Sequence, residues 1–211
     1  PASIPNLENY ILELRDYIFS TSGKELIING MLTHNESEDR WVSSVDNLIL
    51  FQPGTALFNS KNLLGAQLDT KGLKHFITSK LISSDFLGKK FLYNLRNKFF
   101  QKPKIYQYED IYELLLQQSK VTSYRGKNII LGCFVDWDNT PRYGQHATVI
   151  RGATPEKFKA YLTKLRGILD AKGDNLLFIN AWNEWGESAY LEPDDHTGYK
   201  NLEAIKNVFN L

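Results

Sequence analysis

The sequence predicts an α/β fold built around a parallel sheet. Four apolar runs of strand length recur along the chain, and amphipathic helical patterns lie between them. Such alternation favours a parallel sheet, because each helix returns the chain to the edge where the next parallel strand begins. Polar residues follow the last two runs directly, and ligands of parallel α/β folds bind at the carboxyl ends of the strands.

The first quarter of the chain predicts helix, strand, helix and strand in turn. The first helix has apolar residues at helical spacing, and a glycine is expected to end it. These residues are Leu7, Ile11, Leu14 and Ile18, followed by Gly23. Residues 25–30 and 47–51 predict the first two strands, and residues 38–45 predict a short helix between them.

Residues 55–127 form a predicted helical insertion, because this stretch is too long for an ordinary connection between a strand and a helix. Within it, residues 85–104 combine a helical apolar pattern with six Lys or Arg and one Asp. The pattern suits either a helix packed on the protein with its lysines in water or a helix that docks on an anionic membrane surface. The first alternative is favoured, since scattered lysines are common on surface helices. Residues 109–118 predict a second helix of the insertion.

The second half predicts two more strands, at residues 128–135 and at the apolar start of residues 176–187. Between them, Thr154, Pro155 and Glu156 predict the start of a helix, which Gly173 is expected to end. Four strands of this kind suit either a small open sheet or half of an eightfold barrel. The chain begins at Pro1 without Met and enters a helix almost at once, which favours the second alternative. Residues 1–211 are therefore expected to form the C-terminal portion of a single (β/α)8 catalytic domain.

The composition argues against several classes of function. The chain of 211 residues has a net charge of +1, which does not suggest a nucleic-acid-binding protein. No run of about 18 apolar residues is present to span a membrane. Cys133 is the only cysteine, so no intrachain disulfide and no cysteine-based zinc site are predicted, and a reducing compartment such as the cytoplasm is favoured.

The stretch from 176 to 187 carries the residues best suited to chemistry. After its apolar start it contains Asn180, Trp182, Asn183, Glu184, Trp185 and Glu187. Two carboxylates among aromatic side chains suit sugar chemistry, because one group handles a proton, the other a developing positive charge, and indole faces stack on sugars. In a continued strand Glu184 and Glu187 would point to opposite faces, so they converge only if the chain bends after Trp185, which Gly186 makes easy. The alternative is a pair of solvated loop carboxylates.

A second polar cluster follows the third predicted strand. Its Asp136-Trp137-Asp138 sequence fits the weak Asp-x-Asp pattern with which nucleotide-sugar transferases hold a metal, but no Gly-rich phosphate loop accompanies it. The alternatives are a sugar-lining role and a turn stabilised by Asp and Asn side chains. Arg142 is expected to pair with a neighbouring carboxylate such as Asp138, and an acidic sugar is the other candidate. No metal and no cofactor are predicted.

These motifs together resemble the WbsX family, whose members are similar to family 99 glycoside hydrolases and occur in bacterial O-antigen and capsule gene clusters. The resemblance rests on residues 137–142, 154–158 and 178–194, and it is clearest from Asn128 to Tyr199. It implies a (β/α)8 barrel, of which this chain supplies the second half, and an enzyme that cleaves or transfers glycosidic bonds of α-mannoside-type sugars.

The resemblance also assigns roles to residues. Glu184 would act as a base on the 2-hydroxyl group of the substrate, which attacks its own anomeric carbon, and Glu187 as the acid that protonates the leaving oxygen. The residues expected to bind the substrate are Trp137, Asp138, Asn139, Arg142, Asn180, Trp182, Asn183, Trp185 and Tyr190. The hydrolases usually carry His where this chain has Gly186 and Gly where it has Ser188.

Two other functions stay open: a nucleotide-sugar-dependent glycosyltransferase and a non-catalytic glycan-binding module. A glycan is the expected partner in every case. Half a barrel would expose two sheet edges and apolar faces, so this segment alone is expected to self-associate unless an N-terminal half is supplied.

Overall fold

The computed structural model describes residues 5–32, 39–59 and 102–211. Most of the predicted insertion, including residues 85–101 of the basic amphipathic stretch and with them its suggested membrane contact, lies outside the described residues.

In chain order the described strands are β1 (Asn29–Leu32), β2 (Asn47–Leu50), β3 (Lys104–Gln107), β4 (Ser123–Tyr124), β5 (Lys127–Phe134), β6 (Trp137–Asp138), β7 (Thr148–Arg151), β8 (Leu177–Asn180), β9 (Asn183–Glu184) and β10 (Ala189–Tyr190). The described α-helices are α1 (Leu7–Ser22), α2 (Tyr108–Gln118), α3 (Thr140–Tyr143), α4 (Pro155–Lys172) and α5 (Lys200–Phe209). Short 3₁₀ segments cover Asp39–Ser44, Gly144–His146 and Trp185–Glu187, and Thr55–Asn59 forms a π-helical turn.

The main sheet contains four parallel strands that are adjacent in the order β1, β2, β5 and β8. The short strand β4 pairs antiparallel with the beginning of β5. The predicted α/β class, with a parallel sheet and helices between its strands, is therefore confirmed. All four parallel strands end on the same side of the sheet, and Asn180 fixes this edge by donating a hydrogen bond to the carbonyl of Gln52 at 3.0 Å.

An aromatic cluster packs two helices against the carboxyl end of β5. Tyr112 of α2 stacks on Phe134 of β5 at 5.0 Å and on Tyr161 of α4 at 4.2 Å between ring centroids. Its hydroxyl also donates to the carbonyl of Phe134 at 2.6 Å. The cluster holds the end of β5 rigidly, just before the loop that begins at Asp136.

The helix boundaries follow the predicted signals where those signals are local. Thr154 accepts a hydrogen bond from the backbone N–H of Lys157 at 3.2 Å, as an N-cap should, and α4 ends at Gly173 in a left-handed conformation. Gly23 ends α1 in the same way, with its N–H bonded to the carbonyl of Phe19 at 2.8 Å.

The predicted start of the first strand is wrong. The strand begins at Asn29 rather than at Glu25, and Ile27 is 67% exposed. The Asp46 carboxylate accepts hydrogen bonds from the backbone N–H of Ile28 and from the Arg15 guanidinium, both at 2.7 Å. The N–H of Ile28 is therefore not available for pairing with a neighbouring strand. This contact joins residues far apart in sequence, which local periodicity does not register.

A second, smaller sheet was not predicted. In it β7 pairs in parallel with β3 and antiparallel with β6. Its strands are only two to four residues long, too short to display a period of their own. The sheet lies beside the polar cluster that follows β5, since β6 is formed by Trp137 and Asp138.

Candidate active site

The chain bends sharply after Glu184. Residues Trp185–Glu187 form a 3₁₀ turn, Ser188 has a left-handed φ of 55°, and β10 then pairs antiparallel with β9. The N–H of Ser188 donates to the carbonyl of Trp185 at 3.2 Å and closes the turn. The turn removes the strand alternation that would otherwise separate the two glutamates.

Glu184 and Glu187 converge on Arg142. One terminal nitrogen of Arg142, Nη2, lies 2.7 Å from Glu184 Oε1, and the other, Nη1, lies 3.2 Å from Glu187 Oε1. Arg142 reaches them from the short helix α3, whose first turn places its N–H 3.1 Å from the carbonyl of Asn139. Arg142 thus pairs with carboxylates, as expected, but its partners are Glu184 and Glu187 rather than the suggested Asp138, because the turn brings these two carboxylates to the guanidinium.

The two carboxylates sit in different environments. The Glu187 side chain is only 13% exposed, against 35% for Glu184 and 49% for Arg142. Burial raises the pKa of Glu187 and the negative charge of Glu184 adds to this effect, while the Arg142 guanidinium opposes it; the net pKa lies above the ordinary glutamate value. Glu187 is thus the carboxyl group of the pair that is better suited to carry a proton.

Gly186 leaves the space that Arg142 uses. A Cβ atom at this position would lie 3.2 Å from Arg142 Nε and 3.3 Å from Glu184 Oε1, tighter than ordinary van der Waals contact. Gly186, which lies between the two catalytic candidates, therefore allows the Arg142 guanidinium to pack against its backbone.

Aromatic side chains next to the turn are held in place by hydrogen bonds. Trp185 stacks on Tyr190 with ring centroids 3.8 Å apart, and its indole N–H donates to Glu192 at 2.6 Å. The Tyr190 hydroxyl donates to Asp194 at 2.8 Å; burial and the Asp194 carboxylate raise the pKa of Tyr190 to about 12. Trp182 and Trp185 are both about half exposed, and the face of Trp185 that is not stacked on Tyr190 is available to a ligand, as is the exposed part of Trp182.

The polar residues after β5 mainly shape turns. Asp138 Oδ1 accepts hydrogen bonds from both the backbone N–H and the hydroxyl of Thr140. Asn139 accepts the N–H of Thr148 at 2.7 Å and joins this turn to β7. The interpretation of the cluster as a turn stabilised by Asp and Asn side chains describes these contacts well.

Asp136 differs from its neighbours because it is a partly buried carboxyl group without a cationic partner among the described residues. It accepts the N–H of Trp137 at 2.7 Å. Burial raises the pKa of Asp136 to about 6, and the nearby charge of Asp138 contributes. The sequence offered a metal site, a sugar-lining role and a stabilised turn for the segment that contains Asp136, and none of these predicted the partial burial of its carboxyl group. Its position directly after the apolar residues 129–135 was a signal for burial.

Several of the predicted substrate-binding residues do not share one surface. Trp137 is only 8% exposed and belongs to the hydrophobic core, so it presents little surface to a ligand. Asn180 uses its amide to anchor β8, as described above, and Asn183 is exposed on β9. The groups that meet in one place are the two glutamates, Arg142 and the aromatic pair of Trp185 and Tyr190. Cys133 is fully buried, as expected for a core residue.

Among residues 5–32, 39–59 and 102–211, no group of three or more His, Cys, Asp or Glu side chains is placed to hold a metal ion. Within the same ranges, none of the helices has both the length and the apolar character that crossing a bilayer requires.

The fold and the site thus define an α/β protein with a pair of carboxylates in an aromatic setting, as in enzymes that act on glycans. A family model described as glycosyltransferase WbsX matches residues 1–205, so the chain belongs to the WbsX glycosyltransferase family, a family of glycan-related enzymes.

Two curated relatives, each described as uncharacterized protein WxcX, come from two strains of Xanthomonas campestris pv. campestris. Each is 37% identical to this chain over 75 residues, which are 34% of the chain and 11% of the relative. The chain therefore matches only about a tenth of the length of these relatives. No solved structure matches it.

Proposed function

We propose that this chain carries the catalytic residues of an enzyme that cleaves or transfers glycosidic bonds, with α-mannoside-type sugars of bacterial surface polysaccharides such as O-antigen or capsule as substrates. The observation that carries the proposal is the convergence of Glu184 and Glu187 on Arg142, at 2.7 and 3.2 Å. Two carboxylates that reach the same guanidinium are close enough to act on neighbouring atoms of one sugar ring.

The reaction follows the scheme implied by the resemblance to family 99 hydrolases. Glu184 takes the proton of the 2-hydroxyl group while that oxygen forms a bond to the anomeric carbon. The bond between the anomeric carbon and the leaving oxygen breaks, and Glu187 gives its proton to that oxygen. In the second step Glu187 takes a proton from an incoming hydroxyl group, whose oxygen bonds to the anomeric carbon. The bond between that carbon and the 2-oxygen breaks at the same time, and Glu184 returns its proton to the 2-oxygen.

The incoming hydroxyl group decides between cleavage and transfer. Water as the acceptor gives hydrolysis, whereas a sugar hydroxyl gives transfer, the activity that the family description names. Both outcomes use the same two carboxyl groups in the same protonation states.

The environments of the two groups support these assignments. A general acid must hold a proton at the working pH, and burial raises the pKa of Glu187. A general base must be ionised, and Glu184 is more exposed and lies closer to the guanidinium. The exposed indole faces of Trp182 and Trp185 would supply stacking surfaces for the sugar rings.

For the complete domain we propose a (β/α)8 barrel in which residues 1–211 supply the C-terminal portion, with an insertion at 55–127. The support is that β1, β2, β5 and β8 are parallel and lie side by side in chain order, as successive barrel strands do.

The decisive experiment replaces Glu187 or Glu184 by Gln in the intact protein and measures turnover of an α-mannoside oligosaccharide. Each substitution is expected to lower kcat by a factor on the order of 10² to 10⁴, the usual contribution of a general acid or base. Glu203→Gln, at an exposed position on α5, serves as the matched control and should leave kcat unchanged. Undiminished turnover in Glu187→Gln, with the fold verified by circular dichroism, would refute the assignment.

A further inference from the structure

A cleft of about 590 Å³ lies beside the turns that carry the paired carboxylates and Arg142. Its volume falls in the range of roughly 300–1,000 Å³ that is typical of small-molecule sites. Three of its lining residues, Asp138, Thr140 and Ser188, belong to the turns that position Arg142 and Glu187. The cleft is therefore placed to hold a sugar unit next to the one on which the glutamates act.

Two cations line this cleft and have no anionic partner within residues 5–32, 39–59 and 102–211. Lys102 and Arg151 are both exposed, and within the described residues neither forms an ion pair or donates a side-chain hydrogen bond. Other cations near this region are engaged: Lys157, for example, pairs with Glu109 and donates to the carbonyl of Gly152. Unpaired lysine and arginine side chains on the wall of a cleft favour an anionic ligand, which arginine binds through two parallel hydrogen bonds.

Asp136 also lines the cleft, and its carboxyl group is partly buried. Among the described residues, the ionisable groups that interact with it are Asp138 of β6, Tyr108 of α2 and Tyr190 of β10. Lys102 and Arg151 line the same cleft without forming an ion pair with it. An ionised Asp136 would repel an anion in the cleft, whereas a protonated one would donate a hydrogen bond to it.

We propose that this cleft is a subsite for a negatively charged sugar unit, a uronic acid or a sugar phosphate, with Lys102 and Arg151 as its cationic partners and Asp136 as a group that admits the anion when it is protonated. That the charged unit is linked to the sugar undergoing reaction rests on the proposed function; binding of the charged unit itself does not.

The test measures binding by isothermal titration calorimetry in the intact Glu187→Gln variant, so that turnover does not interfere. Three disaccharides that differ only in the sugar next to an α-mannose unit are compared: one with glucuronic acid, one with glucose 6-phosphate and one with neutral glucose. We expect both charged ligands to bind about tenfold more tightly than the neutral one, as charged hydrogen bonds usually provide. The tighter of the two charged ligands identifies which anion the cleft prefers.

Substitutions separate a specific subsite from general attraction of anions. Lys102→Ala and Arg151→Ala should each weaken binding of the charged ligands by about tenfold and leave the neutral ligand within about twofold. Arg166→Ala removes an arginine that pairs with Asp170 on α4 and does not line the cleft, so this control should change nothing. Equal affinity for charged and neutral ligands, or an equal effect of Arg166→Ala, would overturn the proposal.

The pH dependence provides an independent criterion. Since the pKa of Asp136 is about 6 and a uronate carboxyl stays ionised in this range, affinity for the glucuronic acid ligand should rise as the pH falls from 7.5 to 5. Asp136→Asn should bind this ligand tightly at both values. The phosphate ligand does not suit this comparison, because a phosphate monoester itself takes up a proton at about pH 6. An unchanged pH dependence in Asp136→Asn would exclude the role of Asp136. If charged and neutral ligands bind equally while the parent protein turns over neutral glycans normally, the subsite is rejected and the proposed function stands. If the charged ligands bind more tightly but the parent protein turns over no glycan, the proposed function alone is rejected.

Discussion

Arg142 packs directly against Gly186, whose absent Cβ atom would lie 3.2 Å from Arg142 Nε. The contact explains how one guanidinium reaches carboxylates on both sides of the glycine. The arginine comes from α3 and the glycine from the 3₁₀ turn after β9, so the pair joins the two polar clusters that follow β5 and β8. A side chain at residue 186 would therefore crowd the Arg142 guanidinium.

The first prediction concerns this contact. Gly186→Ala should push the guanidinium away by a few tenths of an ångström and loosen both of its hydrogen bonds, because the added methyl group also meets Glu184 at 3.3 Å. We expect kcat to fall by about tenfold, since small displacements of positioned groups are costly in catalysis. Steady-state kinetics on the α-mannoside oligosaccharide provide the measurement.

Gly167→Ala is the matched control for Gly186→Ala. Gly167 lies within α4, and a Cβ atom there meets nothing within 4 Å. The substitution should stabilise the protein by roughly 0.5–1 kcal/mol through helix propensity and leave kcat unchanged. Full activity in Gly186→Ala would show that the position of the guanidinium has no bearing on turnover.

The second prediction concerns the charge on Arg142. Arg142→Gln removes the positive charge that opposes the effect of burial on Glu187, so the pKa of Glu187 should rise further. A general acid is active while it is protonated, and the alkaline limb of the pH–rate profile should therefore move to higher pH. The profile of kcat against pH measures the shift.

Arg166→Gln, which breaks an exposed pair with Asp170 on α4, should leave the profile unchanged. An alkaline limb that stays in place in Arg142→Gln would mean that Glu187 is not the group responsible for that limb.

The contrast between Thr154 and Asp46 shows what the sequence reveals about the fold. The helix start at Thr154 was predictable because the cap, the proline and the acidic residue lie within three positions of one another. The first strand was placed too early because Asp46 takes the N–H of Ile28 across 18 residues. The small second sheet escaped prediction because its strands are too short to show a pattern.

Like the fold, the candidate site could be predicted only where the signals are local in sequence. The need for a bend after Trp185 follows from strand geometry and the glycine that allows it, and the 3₁₀ turn supplies that bend. The partners of Arg142 were not predictable, because Glu184 is 42 residues away and becomes a neighbour only through the pairing of β5 with β8. Trp137 illustrates another limit: an indole after a strand has the same sequence signature whether it faces a ligand or the core.

The third prediction uses the unusual pKa of Asp136. Folding raises this pKa from an ordinary 3.8 to about 6, so the folded protein binds a proton more tightly than the unfolded chain does. Stability contributed by the protonated form is present below pH 4 and is lost as the pH rises through 6. Asp136→Asn keeps the acceptor for the N–H of Trp137 and carries no charge. The change in the free energy of unfolding caused by Asp136→Asn should therefore be more favourable at pH 7.5 than at pH 4, by up to about 3 kcal/mol.

Urea denaturation of both proteins at the two pH values measures this difference. Asp138→Asn is the comparison, since Asp138 lies two residues away on the same segment and accepts the N–H of Thr140. If Asp136→Asn and the parent protein differ in free energy of unfolding by the same amount at both pH values, the pKa of Asp136 is not raised.

The fourth prediction concerns Gly132, in the middle of β5. A Cβ atom at this position would overlap the carbonyl oxygen of Leu50 in the neighbouring strand β2. Because the obstacle is backbone rather than a flexible side chain, the substitution forces the two strands apart. Gly132 also pairs with Phe178 of β8, so the displacement reaches the strand that leads into the catalytic turn.

Gly132→Ala should therefore lower the free energy of unfolding by about 3 kcal/mol, at the upper end of what overpacking usually costs. Turnover should fall as well, because the ends of β5 and β8 carry Arg142 and the two glutamates on the segments that follow. Urea denaturation gives the stability, and Gly167→Ala, with open space around its added methyl group, gives the baseline for a Gly-to-Ala change. If Gly132→Ala were as stable as Gly167→Ala, the close approach of β2 and β5 at Leu50 would not exist in solution, and the placement of the site at the end of these strands would need to be revised.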